Sequence, residues 1–236
     1  METLQILQQR EFRILAAAAG ISELYGMGGG EPLSQQEVMY GLHELVQRGV
    51  LAGDGQEFKF CEPFRTIFHA LKDADRLLVV TGRGQDMQDF CIYQGEKPVL
   101  LEESRQDADA VRVGVYEPEA LYELLEERGF LPRAYVPMDI ALLQKEEELT
   151  EALTKQTRAY LEKSLQAGLP EEAEEQIIAR YLLYDLKREQ KREPFKAFYL
   201  LENPCNYWIA EKDAQTLSYL QYDQQTLYEK ILASLR

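Results

Sequence analysis

The sequence predicts an α+β protein, in which antiparallel strands form a sheet layer and helices pack on it. Three observations carry this prediction. The first 75 residues show helical periodicity around one short hairpin, strand-like alternation returns in two later stretches, and both of those stretches end in a similar helix. With 236 residues, of which 45% are hydrophobic, the chain is long enough to bury a substantial core.

Residues 1–75 predict a winged-helix-like subdomain. The opening stretch METLQILQQREFRILAAAAG has the periodicity of an amphipathic helix. A second helix should follow Ser34, because Ser34 and Glu37 stand at the spacing of a capping box, and Gly49 should supply its left-handed end. VLAGDGQEFKF alternates around a tight-turn sequence and predicts a hairpin, and FRTIFHAL predicts a third helix.

Residues 76–139 predict the first strand-rich half. We expect strands at 76–80, 89–93, 98–102 and 111–116, with a hairpin turn at 94–97. Glu117 and Pro118 should open a helix that continues to about Arg128, because proline is tolerated at a first helical position. Gly129 should end that helix.

Residues 140–193 predict a helical hairpin between the two halves. Two charged segments, EEELTEALTKQTRAYLEKSLQAG and EEAEEQIIARYLLYDLKREQKR, flank a Gly-Leu-Pro break at 168–170. The inward face of the second helix is expected to carry Ile177, Ile178, Tyr181 and Leu182.

Residues 194–236 predict the second strand-rich half. Strands are expected at 195–201, 206–211 and 216–222, and Asp223 should cap a final helix. YDQQTLYEKI at Tyr222–Ile231 repeats the pattern of YEPEALYELL at Tyr116–Leu125. The strands before each phrase also follow in the same order. We therefore expect residues of about 90–128 and 198–235 to form two β-β-β-α units related by a pseudo-twofold axis.

The charge balance of the chain limits the kinds of partner that it can bind. Lys and Arg number 26 against 41 Asp and Glu, which gives a net charge of −15. Affinity for nucleic acid and for anionic membranes rests on cations, so we expect neither partner. Three scattered cysteines, Cys61, Cys91 and Cys205, are typical of reduced packing residues in a cytoplasmic protein.

The chain offers no recognisable catalytic, metal or cofactor site. Its two histidines, His43 and His69, have no further ligands at metal spacing. GRGQDMQ at 82–88 holds a lone Gly-x-Gly without the following glycine of a dinucleotide site. Cys91 lies in an apolar strand and is expected to be inert. We therefore expect a non-enzymatic protein with no cofactor and no metal.

The order of these features resembles the EspG family. The segment LSQQEVMYGLHELVQRGVLAGDGQEFKF is similar to that family's early helix, glycine-containing turn and strand, and the two related halves match at the level of architecture. The resemblance implies the fold of a cytosolic chaperone of type VII (ESX) secretion, with quasi-twofold related halves. It also implies a protein that binds secretion substrates and keeps them soluble.

Two other functional classes stay open. The winged-helix-like part is compatible with a transcriptional regulator, which salt-dependent DNA binding would favour; an unrecognised enzyme would be indicated by a bound cofactor or metal. For the binding protein that we favour, the expected docking residues are the aromatic side chains of the C-terminal half. These are Tyr207, Trp208, Tyr219 and Tyr222. Because neighbouring residues of a strand face opposite sides, Tyr207 and Trp208 should not share one face. The sequence does not determine the oligomeric state.

Overall fold

The structure, a computed structural model, confirms the α+β class. It describes residues 4–21, 24, 32–53, 57–84, 87–104, 107, 109–133, 177–187, 193–202, 207–214 and 216–236. Most of the predicted helical hairpin, at 140–176, lies outside the described residues. The chain divides into two compact units. The first is drawn from Met1–Val79, Gln88–Leu121 and Asp185–Lys191, and the second from Val80–Met87, Tyr122–Tyr184 and Arg192–Arg236.

Nine strands are hydrogen-bonded in the order β1-β7-β6-β5-β4-β8-β9-β10-β11, and β2 and β3 form a separate hairpin. The strands are β1 (Gln5–Gln8), β2 (Leu51–Gly53), β3 (Phe58–Phe60), β4 (Arg76–Gly82), β5 (Phe90–Gln94), β6 (Val99–Glu103), β7 (Ala110–Val115), β8 (Ile177–Asp185), β9 (Lys196–Glu202), β10 (Tyr207–Asp213) and β11 (Leu217–Gln221). The helices are α1 (Gln9–Ala18), α2 (Gln35–Gln47), α3 (Phe64–Asp73), α4 (Leu121–Glu127) and α5 (Gln224–Leu235), with a 3₁₀ turn at Pro118–Ala120.

Helices α1, α2 and α3 of the first unit form for local reasons that the sequence displays. The capping box at the start of α2 is confirmed, since the Glu37 N–H donates to Ser34 Oγ at 3.3 Å and the Ser34 N–H donates to Glu37 Oε2 at 2.7 Å. Gly49, with φ of 71°, ends the helix in the left-handed region. The rings of Phe12 and Phe60 both contact Phe68, at centroid distances of 5.5 and 5.4 Å. These contacts join α1 and the hairpin to α3, although the winged-helix arrangement itself stays a prediction.

The two strand-rich stretches contain the same sequence of elements. In the first, β5, β6 and β7 pair antiparallel and lead through the 3₁₀ turn into α4. In the second, β9, β10 and β11 pair antiparallel and lead into α5, whose first turn is capped by Asp223 through a 2.8 Å bond from the Thr226 N–H. The expected order of strands and helix is therefore present in both stretches.

The second arm of the predicted helical hairpin is wrong at its C-terminal end. Residues Ile177–Asp185 form β8, which pairs antiparallel with β9 and in which buried and half-buried residues alternate. The apolar pattern of IIARYLLYD suits either a helix face or an alternating strand. Pairing with β9 decides for the strand, because it buries Ala179, Tyr181 and Leu183 on one side.

The predicted N-terminal helix is also shorter than expected, because its first residues form β1. This strand pairs antiparallel with β7 and ends the strand order, so it is an edge of the sheet. Two side chains bind backbone groups of β1: Gln8 N–H donates to Glu11 Oε2 at 2.9 Å, and Arg48 Nη2 donates to the Ile6 carbonyl at 3.3 Å. Glu11 is only 2% exposed and forms an ion pair with Arg48. Glu11 and Arg48 therefore bind the Gln8 N–H and the Ile6 carbonyl, backbone groups of an edge strand that could otherwise pair with another chain.

We expect Glu11→Ala to lower the free energy of unfolding by about 1–3 kcal/mol, because it leaves the Gln8 N–H without its acceptor and Arg48 without its buried partner. Glu44→Ala is the matched control. It breaks the other ion pair between α1 and α2, with Arg10 at 2.6 Å, but there both side chains are exposed, and the expected cost is below about 1 kcal/mol. Urea unfolding measures both changes, and equal costs would contradict the structural role of Glu11.

Candidate functional site

The four aromatic residues predicted as a docking site occupy neighbouring positions in the second unit. Tyr207 and Trp208 are the first two residues of β10, and Tyr219 lies on β11 with its backbone paired to Ala210. The side chain of Tyr219 lies outside the described part of the structure. Tyr222 follows β11 immediately before the cap of α5.

Tyr222 is a buried residue that fixes the junction between β11 and α5. Only 4% of its surface is exposed, its hydroxyl donates to the Pro132 carbonyl at 2.8 Å, and its N–H donates to the Tyr207 carbonyl at 3.2 Å. The rings of Tyr207 and Tyr222 meet edge to face, with centroids 5.7 Å apart. Burial is the main cause of the raised pKa of Tyr222, and the neighbouring Tyr122 and Asp223 add to it. Tyr222 is therefore a packing residue and half-buried Tyr207 its neighbour.

Glu211 marks the same side of β10 as Tyr207, since the two residues are separated by an even number of positions. Its carboxylate binds Lys196 of β9 and Lys230 of α5, each at 2.7 Å. Burial raises the pKa of Glu211, but the hydrogen bonds and charges of the two lysines outweigh it, so the pKa lies below its ordinary value. The side of the sheet that carries Tyr207 and Glu211 is consequently the side on which α5 packs.

Trp208 belongs to the opposite side of the sheet. It packs against a buried cluster of Ile177, Leu201 and Ala210 and remains half-buried itself. Leu201 is its direct cross-strand neighbour on β9. Two further half-buried side chains, Tyr199 and Leu217, complete the surface of this cluster. We call the set Tyr199, Trp208 and Leu217 the tryptophan face.

The charges on the side of the tryptophan face are basic on the described strands. Lys212 of β10 shares the side of Trp208 and is exposed. Arg180 of β8 is paired with Tyr199. The acidic Glu211 lies on the other side, so this apolar and aromatic surface is bordered by cations in a chain of net charge −15.

Tyr207 and Trp208 thus lie on opposite faces of the sheet, as the alternation of strand residues predicts. Tyr207 and Tyr222 are in ring contact with each other. Sequence reasoning missed Tyr199 and Leu217 as neighbours of Trp208. The alternation in KAFYLLE placed Tyr199 and Leu201 on one face, but only the β9–β10 register aligns that face with Trp208.

The remaining chemically interesting residues lie in the first unit. A cleft of about 320 Å³ is lined by Glu62, Arg65, Thr66, His69, Ala70, Asp73, Glu96 and Lys97. Within it the Glu62 carboxylate already accepts from Arg65 and from Thr66. Cys91 is buried, and burial, with the charges of Asp89 and Glu103, raises its pKa to about 12, so its thiol stays protonated near neutral pH.

Metal ligands do not cluster in the described ranges: no three residues of the types His, Cys, Asp and Glu are placed to hold an ion together. His43 lies on the exposed face of α2, with its Nε2 2.9 Å from the Gln47 side-chain nitrogen. None of the helices in the same ranges has the length and apolar character that a membrane span requires.

The fold resembles that of a solved secretion chaperone. One similar structure is the Mycobacterium tuberculosis type VII secretion system chaperone EspG5 in complex with the PE25-PPE41 dimer. The TM-score is 0.56 over 99% of this chain and 96% of that chain, at 13% sequence identity. No protein-family model and no curated protein matches the sequence. The chain therefore has an EspG-like architecture, as the sequence resemblance implied.

The raised pKa values of Tyr181 and Tyr222 predict that the protein loses stability at alkaline pH. Burial is the main cause of the raised pKa of both, so in the unfolded chain they ionise near pH 10 while in the folded chain they keep their protons. Above pH 10 the folded state binds more protons, and each tyrosine then lowers the free energy of unfolding by up to about 1.4 kcal/mol per pH unit.

Replacing Tyr222 by Phe should remove its share of this slope, at a cost near neutral pH of about 1 kcal/mol for the lost bond to Pro132. Urea unfolding of both proteins at pH 9 and at higher pH measures the difference. Tyr228→Phe, on the half-buried surface of α5, serves as the control. An identical alkaline slope in wild type and Tyr222→Phe would contradict the raised pKa.

Proposed function

We propose that this chain is a non-catalytic cytosolic binding protein that holds a secreted protein of a type VII system in soluble form. The supporting observation is the architecture shared with EspG5, which extends over nearly the full length of both chains. The EspG5 structure was solved with a bound protein dimer. The absence of a recognisable catalytic motif in the sequence is compatible with this role.

The proposed docking surface is the tryptophan face. Tryptophan and tyrosine supply much apolar contact area for each side chain that must be ordered, which is why they dominate binding hot spots. Trp208 and Tyr199 are half-buried, so part of each side chain remains accessible to a partner, whereas Tyr222 is buried. Half-buried Tyr207 packs edge to face on Tyr222, and the side chain of Tyr219 lies outside the described part of the structure. Of the four aromatic residues expected from the sequence, we therefore assign Trp208 to partner binding.

The partner segment proposed for this surface is apolar at its centre. Ile177, Leu201 and Ala210 lie beneath the tryptophan face and are each 2% exposed, so the area still accessible to a partner belongs to the half-buried tryptophan face itself. An apolar segment covers such a surface at less cost than a charged one. Lys212 stands at its border, where a charge adds specificity and steers association more than it adds affinity.

We expect Trp208→Ala to weaken binding of the cognate secreted protein by about 2 kcal/mol or more. The partner is first recovered by pull-down from the source cytosol and then purified, and its affinity is measured by calorimetry. A second readout is the yield of soluble partner on co-expression, which should fall with the variant. Phe58→Ala is the matched control, because Phe58 is an aromatic residue on the hairpin of the first unit with 37% of its surface exposed.

Because Trp208 also contacts the cluster beneath it, the alanine variant must retain the wild-type melting behaviour. Lys212→Glu gives an independent test on the same face, since Lys212 is exposed and its replacement leaves the core intact. We expect the association rate to change with this variant, because a charge at the border of the surface steers association. Wild-type affinity and association rate in both variants would remove the tryptophan face as the docking site, and failure to recover any secreted protein would contradict the proposed function.

We also propose that the two strand-rich stretches are a pseudo-twofold repeat. Tyr122 and Tyr228 occupy equivalent positions of the two repeated phrases, and their rings meet edge to face at 5.2 Å. Contact between equivalent residues is what a twofold axis between two copies produces. In an experimental structure, β5–β7 with α4 should superpose on β9–β11 with α5 by a rotation near 180°; a rotation far from that value would contradict the repeat.

A further inference from the structure

Strand β11 is an edge of the nine-stranded sheet, and its hydrogen bonds to β10 show which of its backbone groups face outward. The Tyr222 N–H donates to the Tyr207 carbonyl at 3.2 Å, in line with the β10–β11 register. In an antiparallel pair such bonds recur at every second residue. The N–H and carbonyl groups of Leu217, Tyr219 and Gln221 therefore point away from β10. We call the backbone of these three residues the open edge.

Strand β11 lacks the features that ordinarily keep an edge strand from pairing, which are charges, proline, bulges or a covering segment. TLSYLQY at 216–222 has no charge, no proline and no glycine, although 28% of the chain is charged. Its pairing with β10 runs without a register shift. In the described part of the chain, no hydrogen bond occupies the outward groups of Leu217 and Gln221, and the side chains of Ser218 and Gln221 are exposed.

Strand β1, the other edge of the sheet, is blocked by side chains. Its Gln8 N–H donates to Glu11 Oε2 at 2.9 Å, and its Ile6 carbonyl accepts from Arg48 Nη2 at 3.3 Å. A strand of another molecule would have to displace both bonds, and Glu11 would lose its buried ion pair with Arg48. The sheet can therefore be extended at the open edge but not at β1. Extension at one edge stops after two copies, whereas two open edges would allow a fibre.

We propose that β11 pairs antiparallel with β11 of a second copy of this chain, so that two nine-stranded sheets join at their open edges. The open edge requires an extended strand with free N–H and carbonyl groups of its own. Among the described strands, the interior ones are paired on both sides, β1 is blocked, and β2 and β3 have three residues each. The described strand that meets the requirement is β11 itself, which a second copy supplies.

The register of the pair follows from the positions of the outward groups. A twofold axis at Tyr219 places Tyr219 opposite Tyr219 of the other copy and Leu217 opposite Gln221 of the other copy. Every outward N–H of the open edge then meets an outward carbonyl, which a register shifted along the strand would not achieve. No charged residue stands on either strand, so like charges are not brought together within the contact. The contact is isologous.

Two physical limits set the expected strength of the dimer. Strand β11 has five residues, so pairing two such strands makes a contact smaller than a standard protein interface. Two copies of net charge −15 also repel one another outside the contact. We therefore expect a weak dimer whose association strengthens as salt screens the repulsion. Its formation does not depend on the secreted partner proposed above.

Sedimentation equilibrium of the purified full chain, from low micromolar to near-millimolar concentration, tests the proposal. The wild type should show a reversible monomer–dimer equilibrium that is stronger at high salt. Gln221→Pro should weaken association at least about tenfold, because each copy loses an outward donor. The bonds to β10 remain, since proline is tolerated where the N–H of an edge strand faces solvent. Gln221→Ala is the matched control: it keeps the N–H and should change the association constant by less than about twofold.

Cross-linking tests the register and does not require the proline variant to fold. Opposite residues of a hydrogen-bonded antiparallel pair have Cα atoms about 5.5 Å apart, within the range of a disulfide. Tyr219→Cys should therefore link two copies on mild oxidation with diamide. Ser218→Cys should not, because the two copies of residue 218 lie diagonally, about 7–8 Å apart. Oxidised wild type controls for the native cysteines.

Three results would each overturn the proposal. The first is a wild type that stays monomeric at every concentration and salt. The second is equal association of Gln221→Pro and Gln221→Ala, with both melting like the wild type. The third is cross-linking of Ser218→Cys that equals or exceeds that of Tyr219→Cys.

Discussion

The antiparallel register of β9 and β10 is the constraint on which the second unit depends. It pairs Trp208 with Leu201 and Glu211 with Phe198, and so assigns every side chain of β10 to one of two faces. A slip by one residue would exchange the faces, placing Glu211 against the apolar cluster and Trp208 under α5. Glu211 opposes such a slip, because its two lysine partners on β9 and α5 are available on one side only. The same register therefore determines both the packing of α5 and the position of Trp208.

Carboxylates removed from water show how an acidic chain folds without internal repulsion. Glu11 pairs with Arg48, Glu102 with Arg112, and Glu211 with two lysines. Each of these groups would be costly to bury alone. In the described part of the chain the buried acids are thus matched by cations, and the surplus negative charge is carried on the solvated surface, where it favours solubility.

The sequence predicts helix ends well, because caps and terminal glycines depend on neighbouring residues alone. The capping box at Ser34 and Glu37, the glycine after α2 and the cap at Asp223 were all predictable because each rests on contacts within a few residues. The strands β1 and β8 were misjudged because their partners, β7 and β9, are distant or ambiguous in the sequence. The pattern QILQ is too short to indicate a strand until β7 supplies its pairing. For the candidate site, alternation predicted that Tyr207 and Trp208 would separate, but which of them faces α5 follows from the register and could not be predicted.

The central claim is that a secreted protein docks on the tryptophan face, and Trp208 is the single tryptophan of the chain. A protein prepared with 5-fluorotryptophan therefore gives one fluorine resonance, which reports on this surface alone. Saturation with the purified, unlabelled partner should shift that resonance and reduce the solvent exposure of the Trp208 indole ring. A complex that forms in sedimentation while the resonance stays unchanged would contradict the account.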